Sequence, residues 1–584
     1  MHQNSKRQRY IPHPWIILLA TLALIALYLT EAFTIRRWPA EAASALETAL
    51  SPPGGYYDQD VLQKIRPPHP KANVIFTVDG SVPTHTAGEI YSHPIHLSAA
   101  TPGVTVIRAR AVLPGDELGP VVSASYFVGV PAQLPMISLI ADPGDLSDPE
   151  RGIYANPYER GDAWERPTDV TYVDRDRRSG FHVPAGVRIH GHHSRGFDKK
   201  SLRLYFREEY GLSWLDYPLF AGSEVRSFKR LVLHNGGHDC QNAPRWNATL
   251  MRNQLADRLA LQLDGYATHS QPALLFINGE PWGIYHIRER IDSHFLAAHY
   301  GIESADFLES PEHISERDVL MGDRENWDHL LQFAEAQDLA DPSNYAYVQG
   351  QVDIANFIDY NILQIYAANI DWPLRNVHQF RPRVQGGQWH WMFWDSDHGF
   401  GLNPYGVSVD SDFIARVLDY SAPETDGRDT LLLRKLLENP AFSDRFLSRV
   451  ADLLNTTLAP QSVIAHIDAL AAELGPDIAY EIMRWPRSGH WESHVEELRD
   501  FARRRPDIVR QHAVERFDLN GTAHLTFNPP ASGSGTVAVN GMLLPDLPWQ
   551  GVYFQGIPVQ VAAAPAPGYR FAGWDPPNLP QSPA

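Results

Sequence analysis

Four polar side chains within one short stretch have the types and the spacing of a phosphoryl-transfer site. Asp371 and Asn376 form the pattern D-x-x-x-x-N, and Asp395 and Asp397 follow in "WDSD". Phosphoryl transfer needs a carboxylate that receives the proton of the substrate hydroxyl, and an amide and a carboxylate that hold Mg²⁺ against the phosphates. All four residues lie among tryptophans and apolar side chains, where an unpaired carboxylate is costly to bury. The stretch therefore predicts a site for a cation and a phosphate ester.

The elements around these residues bring them together. "NFIDYNILQIYAAN" has helical periodicity, so Asp371 and Asn376 lie on the loop that ends a helix. "VHQFRPR", a Gly-Gly turn and "QWHWMFWD" predict a β-hairpin whose second strand returns Asp395 and Asp397 to that loop. D-x-x-x-x-N alone is common by chance. The alternative interpretation is that Asp371 caps a turn and that the two later acids are ordinary loop residues.

A pair of lysines is the first candidate for contact with phosphates. In "GVRIHGHHSRGFDKKSLRLYF" two predicted strands flank a loop, and Lys199 and Lys200 begin the second strand. A lysine on an apolar strand face needs an anion, which phosphates would supply, whereas two exposed lysines on an edge strand need none. Alternation favours Lys200, and a one-residue register shift favours Lys199. His190, His192 and His193 offer a zinc alternative, although no carboxylate or cysteine set accompanies them.

Two further stretches contain polar residues next to apolar runs. "PALLFINGEPWGIYHIRERID" predicts two strands joined by an Asn-Gly turn, and Glu289 follows the second strand. Glu289 either faces a nucleotide or forms an ion-pair cluster with its arginine neighbours. Before a helix that reaches Leu263, Asp239 is predicted as a cap, with an approach to the site as the alternative. Cys240, the single cysteine, is predicted as a small packed residue.

In their order along the chain, four stretches resemble the CotH kinase family. They are "IHGHHSRGFDKKSLRLYF", "LLFINGEPWGIYHIRERID", "DIANFIDYNILQIYAANIDWPLRN" and "WHWMFWDSDHGFG". The resemblance implies that residues 137–519 form an atypical protein-kinase-like domain. It also implies that ATP and Mg²⁺ or Mn²⁺ are used to phosphorylate Ser or Thr hydroxyls on partner proteins or on the chain itself.

The resemblance assigns roles by position. Asp371 would be the catalytic acid. The metal would be held by Asn376, Asp395 and Asp397. The residues assigned to ATP are Lys199, Lys200 and Glu289, the last of which matches the glutamate of the family's E-x-I-D segment. No glutamate in the helix between residues 246 and 263 stands out as the ion-pair partner of a phosphate-binding lysine.

The N-terminal residues predict attachment to a membrane. "PWIILLATLALIALYLTEAF" is close to the lower length limit of a bilayer-spanning helix, and basic residues precede it, which favours a cytoplasmic N-terminus. We predict an uncleaved signal anchor in residues 1–33, with a cleaved signal peptide as the alternative. Under either interpretation the bulk of the chain is extracytoplasmic, at the bacterial cell surface or in the periplasm. The formal net charge of −19 argues against a nucleic-acid partner.

Two β modules are predicted to flank the central domain, after a linker in residues 34–70. Residues 71–130 resemble the chitobiase/β-hexosaminidase C-terminal-type β-sandwich. Residues 532–576 resemble bacterial surface repeats with a β-grasp-like pattern. The predicted fold class is α+β, an atypical kinase-like domain between small β modules after a transmembrane helix.

The flanking modules leave a second functional hypothesis open. The central domain could be an inactive surface protein whose modules bind a protein or cell-wall glycan. The intact D-x-x-x-x-N and WDSD residues favour the kinase, because a scaffold has no reason to keep costly acids in an aromatic setting. A metal hydrolase built on the histidines lacks a ligand pattern.

Overall fold

The structure is a computed structural model, and the residues it describes are 48–240, 246–310, 318–402, 407–419, 428–486, 490–528, 533–544 and 547–574. The predicted transmembrane segment in residues 1–33 lies outside them. Within the described part of the chain, no helix combines the length and the apolar composition that crossing a bilayer requires. Helices and strands are mixed along the chain, which fits the predicted α+β class.

The N-terminal module is a sandwich of two sheets. Its strands are β1 (Ala49–Ser51), β2 (Gly55–Tyr57), β3 (Val61–Arg66), β4 (Asn73–Thr77), β5 (Glu89–Ile90), β6 (Ile95–Leu97), β7 (Gly103–Val112) and β8 (Val122–Val128). The sheet orders are β1-β3-β6 and β2-β8-β7-β4-β5. The structure differs here from the predicted linker in residues 34–70, which contains β1 to β3. The reason is the alternation in β3, where every second residue is buried in the sandwich core.

A closed barrel follows the sandwich. The next strands are β9 (Met136–Ile140), β10 (Arg166–Val173), β11 (Gly180–His190), β12 (Ser201–Tyr205), β13 (Leu215–Asp216), β14 (Ser227–Phe228), β15 (Arg230–His234), β16 (Ser270–Ile277) and β17 (Glu280–Glu289). All of these except the short β13–β14 pair close the barrel, in the order β10-β11-β12-β15-β17-β16-β9. Only β9 and β16 pair in parallel.

The outer face of this barrel has a row of basic residues. Leu202 of β12 lies in the barrel core, so its neighbour Arg203 points to the outside. Arg203 pairs with Arg188 on β11 and with Val232 on β15. Val232 in turn pairs with Arg288 on β17. Directly paired residues share a face of the sheet, so this row crosses four adjacent strands on the outside of the barrel.

The helices are α1 (Pro143–Ser147), α2 (Arg252–Gln262), α3 (Ser293–Tyr300), α4 (Glu325–Ala336), α5 (Pro342–Gln351), α6 (Ile354–Ala367), α7 (Phe413–Leu418), α8 (Arg428–Leu437), α9 (Pro440–Asn455), α10 (Pro460–Leu474), α11 (Ile478–Arg484) and α12 (Trp491–Arg516). A four-stranded sheet accompanies them, with β18 (Ala305–Glu309), β19 (Asp318–Met321), β20 (His378–Pro382) and β21 (His390–Met392) in the order β19-β18-β20-β21. Helices α8 to α12 make up most of the end of the central region.

Helix α6 and the β20–β21 hairpin position the predicted acids. The Asp353 carboxylate caps α6 by accepting from the backbone N–H groups of Ala355 and Asn356. Nearly all of α6 is buried, and it ends at Ala368, which adopts a left-handed conformation with φ 51°. The chain then forms a loop and enters β20, which pairs antiparallel with β21. The predicted helix–loop–hairpin arrangement is therefore confirmed.

The C-terminal strands share the core of the helical region. They are β22 (Thr522–Phe527), β23 (Gly535–Val539), β24 (Met542–Leu543), β25 (Trp549–Phe554) and β26 (Val561–Pro565), and they form a two-stranded and a three-stranded sheet. Val539 and Phe554 belong to the same buried cluster as the residues of α9 and α12. The hydroxyl of Tyr553 donates a hydrogen bond of 2.9 Å to the Asp452 carboxylate on α9.

Candidate active site

A cavity of about 680 Å³ lies between the outer face of the barrel and the loops that follow α6 and β21. Its volume is in the range of pockets that hold small-molecule ligands. The residues that line it from the loop side include Asp371, Asn376, Asp395 and Asp397. The predicted catalytic and metal-binding residues therefore surround one cavity.

Left-handed backbone conformations fix the relative position of the two loops. Asn376 and Asp395 have φ angles of 60° and 51°. Asn and Asp adopt this region more readily than most other residues, since their short polar side chains bond locally. The amide nitrogen of Asn376 donates to the backbone carbonyl of Asp395 over 3.4 Å. This bond ties the D-x-x-x-x-N loop to the end of the hairpin.

Asp397 is held by the loop that follows β15. Its Oδ2 accepts a hydrogen bond from the backbone N–H of His238 at 2.5 Å, and the Nδ1 of His238 lies 3.3 Å away. A side chain at Gly237 would bring a Cβ atom within 2.0 Å of this oxygen, so the close approach requires glycine. Burial acts to raise the pKa of Asp397, but His398 and His238 outweigh it and hold the pKa below its ordinary value.

Asp395 is half-buried and lies beside two other carboxylates. Its Oδ1 lies 3.5 Å from the amide nitrogen of Asn253 on α2. Burial raises the pKa of Asp395 to about 8, and the charges of Asp397 and Asp371 add to the rise. The protein alone thus favours the protonated carboxyl at neutral pH. A divalent cation would favour the ionised form, and the oxygen-rich set of Asp395, Asp397 and Asn376 has the ligand chemistry that Mg²⁺ and Mn²⁺ require.

His398 connects two of the acids, and the sequence interpretation missed it. Its Nδ1 is 3.2 Å from Oδ2 of Asp371, and its ring lies 3.7 Å from that of His238, centroid to centroid. Burial lowers the pKa of His398, but Asp397 and Asp371 raise it to a net value above the ordinary one. Ligand atoms of His238, Asp397 and His398 lie within 4.8 Å of one another. The sequence signal for His398 was its position directly after "DSD".

The barrel side of the cavity is basic, which the sequence interpretation also missed. Arg203 on β12 and Arg290, just after β17, both line the cavity. Arg203 lies 2.6 Å from His190 Nδ1 and donates to the Tyr205 hydroxyl at 3.2 Å. The Glu309 carboxylate lines the same cavity, and burial acts to raise its pKa, but His378, Arg290 and Arg203 outweigh burial and hold the pKa below its ordinary value. Burial lowers the pKa of Arg203 to about 10, with a contribution from Arg290, so its guanidinium stays charged at neutral pH. The sequence signal for Arg203 was the alternation of apolar and polar residues in β12.

None of the three residues predicted to bind ATP lines this cavity. The ammonium of Lys199 contacts both carboxylate oxygens of Glu481 at 2.8 Å. Glu481 lies on α11, so the buried ion-pair partner of this lysine comes from α11 and not from the helix after residue 246. The ammonium of Lys200 donates to the backbone carbonyls of Arg195 and Phe197 at 2.9 and 2.8 Å. Glu289 lies between two histidines. The ATP-binding roles of these residues stay predictions, and the structure does not bring them to the acids.

The remaining candidates have structural partners. Asp239 accepts from the backbone N–H groups of Met251 and Arg252 at the start of α2 and pairs with the Arg252 guanidinium, which confirms its predicted capping role. Cys240 is buried, as predicted. Within the described residues, His190 is not part of a set of metal ligands, because its ring contacts Arg203.

Comparison with known families identifies the class of protein. A family model described as CotH kinase protein matches residues 187–509, and one described as Fn3 associated matches residues 64–126. The first match covers more than half of the 584 residues, so the chain belongs to the CotH kinase protein family. The predicted chitobiase-type resemblance of the N-terminal module is not confirmed, since the matching model is the Fn3-associated one. None of the curated proteins matches the chain.

Proposed function

We propose that this protein transfers a phosphoryl group from ATP to Ser or Thr hydroxyls of extracytoplasmic proteins, including itself, with Mg²⁺ or Mn²⁺. Family membership supports a kinase-like enzyme. The observation that carries the finer proposal is the cavity itself, whose lining includes the predicted acids and Asn376 on the loop side and Arg203 and Arg290 on the barrel side. Such an arrangement has one wall for a cation and another for phosphates.

Asp371 is the group that receives the proton of the substrate hydroxyl. It lines the cavity, and its carboxylate is oriented by the His398 ring at 3.2 Å and by the Arg375 guanidinium at 3.7 Å. Because it lines the cavity, its carboxylate can accept a proton from a hydroxyl that enters there. His398 is a positioning residue, because it acts on the substrate only through Asp371.

The cation is held by Asp395 and Asp397, with Asn376 beside them. A bound divalent cation would neutralise the charge that develops on the transferred phosphoryl group. The fixed backbone of Asn376 and Asp395 and the glycine at position 237 set the separation of the ligand atoms before any cation binds. Binding of the cation is coupled to loss of the Asp395 proton, because only the carboxylate is a ligand.

The phosphates lie against Arg203 and Arg290. A guanidinium presents several donors in a planar fork that matches phosphate oxygens. Arg203 lines the cavity from the barrel side, where its hydrogen-bond partners are His190 and Tyr205. Lys199 contacts Glu481 and Lys200 contacts carbonyl oxygens, so Arg203 is the better candidate for the role first predicted for the lysines.

The location and the partners belong to the proposal as well. The apolar segment in residues 1–33 anchors the chain, and the rest faces outward, which makes surface proteins the substrates. The N-terminal sandwich and the C-terminal strands serve as modules that hold the enzyme near a protein or cell-wall glycan. A nucleic-acid partner remains excluded by the acidic composition.

The test is incorporation of labelled phosphate from ATP by the purified full-length protein. We expect phosphoserine or phosphothreonine on the protein itself or on an added protein substrate, dependent on Mg²⁺ or Mn²⁺ and abolished by EDTA. Asp395→Ala should abolish the label, and Asp410→Ala should not, since Asp410 is 58% exposed and outside the cavity. A wild type without label would contradict the proposal and favour the inactive surface-binding protein, and equal labelling by wild type and Asp395→Ala would contradict the proposed role of Asp395.

A further inference from the structure

A second cluster of metal-binding side chains lies outside the large cavity. His269 directly precedes β16, Glu289 ends β17, and His299 lies on α3. The Nε2 atom of His299 is 2.5 Å from Glu289 Oε1, and the Nδ1 atom of His269 is 3.3 Å from Glu289 Oε2. The ligand atoms of the three residues lie within 4.8 Å of one another. Residues from three separate elements thus meet at one point.

Glu289 is a buried carboxylate whose contacts within the described residues include histidines but no lysine or arginine ion pair. Its side chain is 4% exposed, and the backbone N–H of His269 donates to its Oε2 at 2.9 Å. Within the described residues no lysine or arginine forms an ion pair with it, and its charged contacts are the two histidines. Burial of an ionised carboxylate without a compensating cation is strongly unfavourable. The cluster therefore needs a positive charge.

The two imidazole rings are arranged side by side next to the carboxylate. The rings of His269 and His299 are stacked, with centroids 5.6 Å apart and an angle of 8° between their planes. A divalent cation bound by a nitrogen of each ring and by Glu289 would compensate the charge of the buried carboxylate.

The ligand types indicate which cation this would be. Two imidazole nitrogens and one carboxylate are a typical protein ligand set of Zn²⁺ sites that keep a fourth position for water. Mg²⁺ and Ca²⁺ prefer sets made of oxygen atoms alone. A cavity of about 30 Å³, lined by Glu289 and His299 among others, lies beside the cluster, and this volume holds one water.

We infer that His269, Glu289 and His299 form a zinc site that is separate from the proposed kinase centre. The ion ties the end of β17 and helix α3 to the start of β16. Arg290 follows Glu289 directly and lines the large cavity, so the zinc site also fixes the backbone next to a residue of the basic wall. The inference does not depend on kinase activity, because it rests on the three side chains alone.

The test is the zinc content of the full-length protein, stripped with a chelator, reloaded with Zn²⁺ and desalted. Elemental mass spectrometry should find about one Zn²⁺ per chain in the wild type, as a three-ligand site binds a single ion. His299→Gln and His269→Gln should each lose most of it. His294→Gln is the matched control, because His294 lies on the same helix and contacts Trp214 instead. A wild type without zinc after reloading overturns the inference.

Two further measurements keep the result clear if a variant folds poorly. In the wild type, stripping should lower the melting temperature, and Zn²⁺ but not Mg²⁺ should restore it, because a ligand that binds only the folded state stabilises that state. His238→Gln tests the other histidine set, in the large cavity. Zinc that persists in His299→Gln and His269→Gln but is lost in His238→Gln would place the ion in that cavity and overturn the inference.

Discussion

Two clusters of buried charge in this molecule are balanced in different ways. At Lys199 and Glu481 one ammonium meets both oxygens of one carboxylate at 2.8 Å, and the two side chains are 4% and 0% exposed. In the cavity, Asp371, Asp395 and Asp397 gather in one place, and the pKa of Asp395 is raised by burial and by its two neighbours. The first cluster is a closed ion pair, whereas the second places three carboxyl groups side by side along a cavity.

The difference separates a structural role from a ligand-binding one. A closed buried ion pair adds little net stability but becomes costly when one partner is removed. Titratable groups with perturbed pKa values beside a cavity are typical of ligand-binding sites. Arg203 and Arg290 line the same cavity from the barrel side, and Arg290 also lies 3.8 Å from Asp292. The proposed nucleotide and its metal ion would contact both sides of this cavity, whereas the charge of Lys199 is already compensated by Glu481.

The largest effect is expected from Asp371→Asn. Because the variant removes the proton acceptor and leaves the shape of the side chain, the rate of phosphate incorporation should fall by about 10² to 10⁴-fold. The measurement is the initial rate at saturating ATP, with Asp410→Asn as an exposed control. A rate close to that of the wild type would remove Asp371 from the chemistry.

Lys199→Met should chiefly destabilise the fold. It removes the ammonium that contacts both oxygens of the buried Glu481 carboxylate, so the free energy of unfolding should fall by about 3–5 kcal/mol in denaturant titrations. The double variant Lys199→Met with Glu481→Leu should recover much of this loss. Unchanged stability combined with a large loss of ATP affinity would instead support the phosphate-binding role that the sequence predicted.

The variants Arg203→Gln and Lys200→Gln test which of these two side chains contacts the phosphates of ATP. Loss of charge-assisted hydrogen bonds to phosphate should raise the KM for ATP in Arg203→Gln by the equivalent of about 1.5–3 kcal/mol. Lys200→Gln should leave the KM nearly unchanged, because its ammonium is bonded to two backbone carbonyls. The reverse order of effects would show that Lys200 reaches the phosphates and Arg203 does not.

The smallest effect concerns stability and its pH dependence without a divalent cation. The ordinary pKa of an aspartate is 3.8, and that of Asp395 in the folded protein is about 8. Between these values the folded state holds a proton that the unfolded state has released, so stability is lost as pH rises from about 4 to 8. Asp395→Asn lacks this loss and should be more stable than the wild type in EDTA at pH 8, on the order of 1 kcal/mol.

Thermal melting at pH 5 and pH 8 checks this prediction. The difference between Asp395→Asn and wild type should be larger at pH 8, and Mn²⁺ should stabilise the wild type but not the variant. A difference that is larger at pH 5 would contradict the raised pKa.

The acidic side of the cavity, formed by Asp371, Asp395 and Asp397, was predictable because these residues are close in sequence. Helix α6, the loop with Asp371 and Asn376, and the hairpin up to Asp397 form one continuous segment, so local periodicity and turn residues were enough to assemble it. The prediction of a linker in residues 34–70 weighted its proline and glycine content above the alternation in β3. The burial pattern of β3 shows that the alternation decided the structure.

The arginines on the barrel side of the cavity and the surroundings of Lys199 depend on contacts between residues that are far apart in sequence. Lys199 and Glu481 are 282 positions apart, so nothing near the lysine in sequence indicated that its charge is already compensated. Arg203 lies on β12 and Arg290 follows β17, and the strand patterns alone did not specify that these strands close into one barrel. A sequence shows which charges exist, but only the fold shows which of them meet.

The most direct test is calorimetric titration of ATP into the wild type, Asp395→Asn and Arg203→Gln, each with and without Mn²⁺. We expect the wild type to bind ATP much more tightly with Mn²⁺, Asp395→Asn to lose this gain, and Arg203→Gln to bind weakly under both conditions. Equal affinities for all three proteins under both conditions would show that ATP does not occupy the cavity between the two walls.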